Sequence, residues 1–210
     1  MVPGGGALRG TDKCSRRWTT RLQRELEGLW GDAPEWCVPG ADATADLRHW
    51  NVTVVGPEGT PYDGGVFAVH VEFPRDYPFK APKVCFLTKV FHPNIHPRTG
   101  LVCLDFLTDK NWWTPAWSVN KILLVVASLL IEPVMDGGAI NREAVYLYKR
   151  KRLVYEEIAR AKTLEHASES AASPGKSSPS EKERRPSSSR GVSQLCRRLM
   201  RKVAFLQTSG

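Results

Sequence analysis

Three runs of alternating apolar and polar residues, joined by short polar links, constrain this chain more than any other feature. LRHWNVTVVG puts Trp50, Val52 and Val54 on one side, and GGVFAVHVEFP does the same with Phe67, Val69, Val71 and Phe73. PKVCFLTKV, opened by Pro82, reads as a third strand. A period of two marks a strand with one buried face. GPEGTPYDGG, between the first two runs, is turn text. Strands linked this way form an antiparallel meander, because parallel pairing needs long crossover segments. Cys85 falls inside the third run, where the expectation is a small buried core residue.

Helical periods flank these strands. From Ser15, Trp18, Leu22, Leu26 and Leu29 recur at spacings of 4, 4 and 3, with Arg21 and Arg24 on other faces. Gly31 and Pro34 stop that helix. SVNKILLVVASLLIEP, with Ser118 as N-cap and Pro133 as stop, is apolar nearly all round and therefore central and buried. NREAVYLYKRKRLVYEEIARAKTLEH is helical again, with a break near Lys149. The expected class is α+β.

The globular domain is expected over residues 15–165, after a flexible Gly-rich segment at 1–14. Residues 166–191 are a Ser/Pro/Lys-rich linker with almost nothing to bury, expected to be disordered. Residues 192–210 form a basic tail with Leu195, Leu199, Val203 and Leu206 on one helical stripe. The net charge of +8 sits largely at the two ends, where basic residues usually solvate, so nucleic acid is not expected as the main partner. Five scattered cysteines without a C-x-x-C pair argue against a disulfide framework or a zinc site. The apolar run at 122–131 is about half the ~20 residues of a membrane span. The expected setting is cytoplasmic or nuclear, and KERRPSSSR leaves nuclear import open.

FHPNIHPRTGLVCLDFL, residues 91–107, has no regular period and begins a long loop, which in a compact domain is usually functional. Cys103 follows Gly100 there, in an irregular stretch. A hydrolytic Cys–His pair with His92 or His96 fits poorly, because Asp105 and Asp109 disfavour a thiolate. Asn94 is either a turn former after Pro93 or a neutral amide donor beside the thiol. Trp112 and Trp113 read as packing beneath the loop, and Phe79 as a core aromatic or an exposed anchor.

Over roughly residues 15–162 the chain resembles the ubiquitin-conjugating enzymes. The motifs are RELEGL, HWNVTVVGPEGTPYDGGVF, FPRDYPFKAPKV, FHPNI with GLVCLD, and WTPAWSVNKILL, in the family order and near its spacing. The resemblance implies the family's fold: an N-terminal helix, a four-stranded antiparallel meander, a central helix and C-terminal helices. The fourth strand is expected near residues 101–104, or to be short. It also implies that Cys103 carries ubiquitin, or a ubiquitin-like modifier, as a thioester received from an activating enzyme. Asn94 would support the oxyanion or order the loop, with His92 and Pro93 as loop support. Phe79, Pro115 and Ala116 would dock a RING- or HECT-type ligase, and Arg21 and Arg24 would form the basic face of the first helix. No metal or cofactor is implied, since ATP belongs to the upstream enzyme, and the final acceptor would be a substrate lysine.

The chain departs from the family pattern at three places. One extra residue separates Asn94 from Cys103, and about two more separate Cys103 from Trp113. In EPVMDGGAI, Gly137 stands at the position of the family's lysine-activating acid, leaving Asp136 as the candidate. Conjugation of another modifier, or a non-catalytic ubiquitin-binding scaffold, are the competing functions; the scaffold variants characteristically lack the cysteine. A basic-tail nucleic-acid binder is a third.

Overall fold

The computed structural model describes residues 11–31, 34, 36–40, 46–109 and 111–168. The expectations for residues 1–10, for the linker and tail from 169 onward, and for Cys196 lie outside the described residues. Helix α1 spans Thr11–Gly31, so the helix read from Ser15 starts earlier, and Thr11 to Cys14 belong to it. Its stripe is as expected: Leu22, Leu26 and Leu29 are buried and Trp18 packs on the core.

Strands β1 (Cys37–Pro39), β2 (His49–Val55), β3 (Val66–Glu72) and β4 (Lys83–Phe86) form one antiparallel sheet in sequential order. Register puts Val52 opposite Val69 and Val69 opposite Phe86, so the alternating residues of all three long runs meet on one face. Trp50, Val52, Val54, Phe67, Val69, Val71, Val84 and Phe86 are all buried there.

Two expectations need correction. The fourth strand is short, as the alternative had it, but its place is not 101–104: it is Cys37–Pro39, which pairs with β2 at the opposite edge. Three residues are too few to show a period. Leu101 and Val102 make only isolated bridges, Leu101 to Cys85 and Val102 to Ile95. Cys85 is also not a core residue. Val84 and Phe86 point inward, so strand alternation places Cys85 on the other face, half-buried.

Helix α2 (Asp105–Thr108) is a single turn, and α3 (Val119–Leu129) is the buried central helix. Ser118 stands at the N-cap of α3 but makes no side-chain cap bond. The Val119 amide instead donates to Glu25 Oε2 at 2.7 Å. Helices α4 (Arg142–Arg150) and α5 (Arg152–His166) complete the domain, with the break at Lys151, near Lys149 as expected. Asn141 caps α4 by accepting from the Ala144 amide.

Candidate active site

Cys103 is presented by a tight hairpin on the edge of β4. The His96 amide donates to Leu101 O and the Gly100 amide to His96 O, both at 2.9 Å. Gly100 is required there: its φ is +69°, and a Cβ would lie 3.0 Å from the Phe86 carbonyl carbon. The returning chain is pinned by Val102 N to Val84 O at 2.8 Å and by Cys103 N to Asn94 O at 2.9 Å. Val102 and Leu104 are buried, and Cys103 between them is half-buried. Burial, then the neighbouring Cys85 thiol, raises the Cys103 pKa above the ordinary thiol value. The thiol is therefore neutral around pH 7, unlike an activated hydrolytic thiolate.

His92 is fully buried, with both ring nitrogens committed. Nε2 donates to Leu129 O at 2.8 Å, and Nδ1 accepts from the Asn94 amide at 3.0 Å. Burial lowers its pKa to about 4. It is a neutral strut with no free nitrogen for Cys103. Pro93 O accepts from the amides of Ile140 and Asn141, at 2.9 and 3.0 Å. The Asn94 side chain is also fully buried: Nδ2 donates to Val134 O at 2.7 Å, and Oδ1 accepts from Val134 N at 3.0 Å. Three consecutive residues thus bind the cysteine segment to the end of α3, the loop that follows it and the start of α4.

That following loop, residues 133–140, lies directly against Cys103. A Cβ on Gly138 would be 3.0 Å from the Cys103 carbonyl carbon. Gly137 has φ +84°, and a Cβ there would be 2.8 Å from Asp105 Cγ. Asp105 Oδ1 accepts from the Gly138 amide at 3.3 Å. The Asp105 carboxylate therefore fills the space beside Gly137, while Asp136 is exposed. In the sequence, Asp105 reads only as a charge that disfavours a thiolate. Its signal was the two-residue step from Cys103, which does not reveal that a segment 33 residues away folds over it.

Phe79 projects outward, 78% exposed, from a turn held by Phe79 N to Asp76 O at 2.7 Å. Pro115 and Ala116 are exposed as well. The two loops are linked, because Trp113 Nε1 donates to Pro78 O at 2.8 Å. Trp113 is buried beneath them, whereas Trp112 is partly exposed. Arg24 is exposed on α1. Arg21 turns inward, pairing with Glu25 and donating to Pro115 O and Trp117 O at 3.3 and 3.2 Å.

Among the described residues no cluster of His, Cys, Asp and Glu has the arrangement of a metal site, and no helix is long and apolar enough to cross a membrane. The site offers a neutral thiol in a rigid frame, a carboxylate beside it and exposed apolar groups on two nearby loops. The solved structure of a candidate ubiquitin conjugating enzyme from Plasmodium yoelii is similar, with a TM-score of 0.65 and 35% identity, covering 71% of this chain and 95% of that one. The profile of the family described as "Ubiquitin-conjugating enzyme" matches residues 21–163, which takes in the sheet, the Cys103 hairpin and both exposed loops. The chain belongs to the ubiquitin-conjugating enzyme family.

Proposed function

We propose that Cys103 accepts ubiquitin or a ubiquitin-like modifier from an activating enzyme and passes it to a lysine amine, with a ligase docked on Phe79, Pro115 and Ala116. In the first step the Cys103 sulfur attacks the modifier's thioester carbonyl. A new C–S bond forms, the activating enzyme's C–S bond breaks, and the Cys103 proton ends on the released thiol. In the second step the lysine nitrogen attacks the new thioester. An isopeptide C–N bond forms, Cys103 leaves as thiolate, and the proton shed by the amine re-forms its thiol.

The observation that carries this reading is Cys103 itself: a half-exposed, neutral thiol held by the backbone of Asn94, with His92 fully committed elsewhere. Exchange between a thiol and a thioester needs access and positioning more than a permanently ionised sulfur. A lysine amine, with a reference pKa of about 10.4, must lose a proton before it attacks, and a carboxylate nearby helps to place and deprotonate it. Asp105 is the carboxylate packed against the loop beside Cys103, and Asp136 is the exposed second candidate.

The test is a non-reducing gel assay with an activating enzyme, ATP and a panel of modifiers. A reductant-sensitive adduct should form on the parent and be absent from Cys103→Ala, and Cys103→Ser should give a reductant-resistant oxyester. A full-strength adduct on Cys103→Ala would end the reading, and the modifier that charges identifies the substrate.

A further inference from the structure

Glu25 lies on α1, far in sequence from both exposed loops, yet its one carboxylate joins three segments. Oε1 accepts from the Tyr77 hydroxyl at 2.8 Å and from Arg21 Nε. Oε2 accepts from the amide of Val119, the first residue of α3, at 2.7 Å. Arg21 then reaches the carbonyls of Pro115 and Trp117. Trp113 Nε1 on Pro78 O closes the circuit from the other side, and Trp117 stacks on Phe106 with ring centroids 4.4 Å apart. The Glu25 side chain is only 8% exposed. Burial, then the nearby Glu25 carboxylate, raises the Tyr77 phenol's pKa, so it remains a donor.

A carboxylate this buried is tolerated because its lone pairs are used, and removing one donor leaves the others poorly matched. Its partners here all lie beside the two exposed loops. They are the residue two before Phe79, the helix that begins just after Pro115 and Ala116, and an arginine whose free end grips that second loop.

We propose that Glu25 is a positioning residue for the docking face. Through Tyr77, Arg21 and the α3 amide it holds the Phe79 loop and the 115–117 loop at a fixed separation, so that a partner meets them as one preformed surface. The partner's identity as a ligase rests on the function proposed above, but the loop-holding role does not. A preformed surface binds more tightly because it spares the ordering cost of two loops.

The experiment compares the full-length parent with Glu25→Gln and Tyr77→Phe by amide hydrogen exchange, together with charging and RING-stimulated discharge. Gln keeps the shape but cannot accept from all three donors. Exchange should rise about tenfold in both loops of Glu25→Gln, only around Phe79 in Tyr77→Phe, and remain unchanged in β2 and β3 of either. Charging should stay near the parent rate. The half-saturating concentration of a RING domain that stimulates the parent should rise about tenfold, with the maximal discharge rate retained. Unchanged loop exchange in Glu25→Gln, or an equal rise through the sheet, would overturn the proposal. If no RING domain tested stimulates the parent, the ligase reading falls, and hydrogen exchange still decides the role of Glu25.

Discussion

The side-chain amide of Asn94 and the backbone of Val134 form a closed pair, each donating to the other across 40 residues of sequence. The backbone carbonyl of Asn94 accepts from the Cys103 amide. Asn94 is thus the rivet between the thiol segment and the loop that covers it, and its side-chain oxygen and nitrogen are both engaged in that joint. This geometry supports loop ordering as its role.

Asn94→Ala should therefore cost about 1–3 kcal/mol of stability, because Val134 loses both buried partners. Charging of Cys103 should continue, while discharge to lysine should slow as the 133–140 loop loosens. Thermal unfolding, with single-turnover charging and discharge, separates these effects. Unchanged stability would mean that water or another group satisfies Val134.

The two carboxylates near the thiol should differ. Asp105→Asn keeps an oxygen to accept from the Gly138 amide but loses the negative charge, so the loop should stay in place. Discharge to free lysine should fall by roughly 10²-fold near neutral pH, against a smaller loss for Asp136→Asn. Both defects should shrink as pH rises toward about 9, because more amine is already deprotonated. The check is the discharge rate of pre-charged protein across that range. If Asp136→Asn is the slower variant, the exposed loop acid does the work instead.

Placing an acid at position 137 should not restore the family's arrangement. Gly137→Asp puts a side chain on a residue with φ +84° and drives it into the Asp105 carboxylate. The backbone strain alone is of order 1–3 kcal/mol. A lower melting temperature with no faster discharge is expected. Faster discharge would show that the loop re-forms around the new acid.

Phe79→Ala should leave melting temperature and charging near parent values, because the ring is already 78% exposed. Ligase-stimulated discharge should fall by at least about tenfold at sub-saturating ligase, the usual scale for losing an aromatic anchor. A large loss of stability would instead mark the ring as structural.

Acid should weaken the fold through His92. Its pKa is about 4 when folded, against 6.5 for the free side chain, so the unfolded chain binds more protons between those values. This contribution is complete above pH 6.5 and is lost as pH falls toward 4. Between about pH 6.5 and 5 it should remove roughly 1–2 kcal/mol. Denaturant midpoints for the parent and His92→Gln should converge on acidification, because Gln carries no proton-linked penalty. Parallel pH profiles would exclude His92 as the source.

The sequence by itself determined what local burial can write into it. The alternation of Trp50, Val52 and Val54 and of Phe67, Val69 and Val71 held in the sheet because each strand buries one face, and period two follows. The all-apolar α3 was legible for the same reason, and Cys103 stood out by its company in FHPNI and GLVCLD. What tertiary structure decided was every pairing between distant segments. Cys37–Pro39 has too few residues for a period, and only the open edge of β2 makes it a strand. Cys85 faces outward because its strand neighbours Val84 and Phe86 claim the core. Asp105 meets Gly137, Asn94 meets Val134, and Glu25 meets Tyr77 and Val119 only after the chain has closed loops of tens of residues. Periodicity reports which face of an element is buried; it carries no record of which distant polar group will need that residue as its partner.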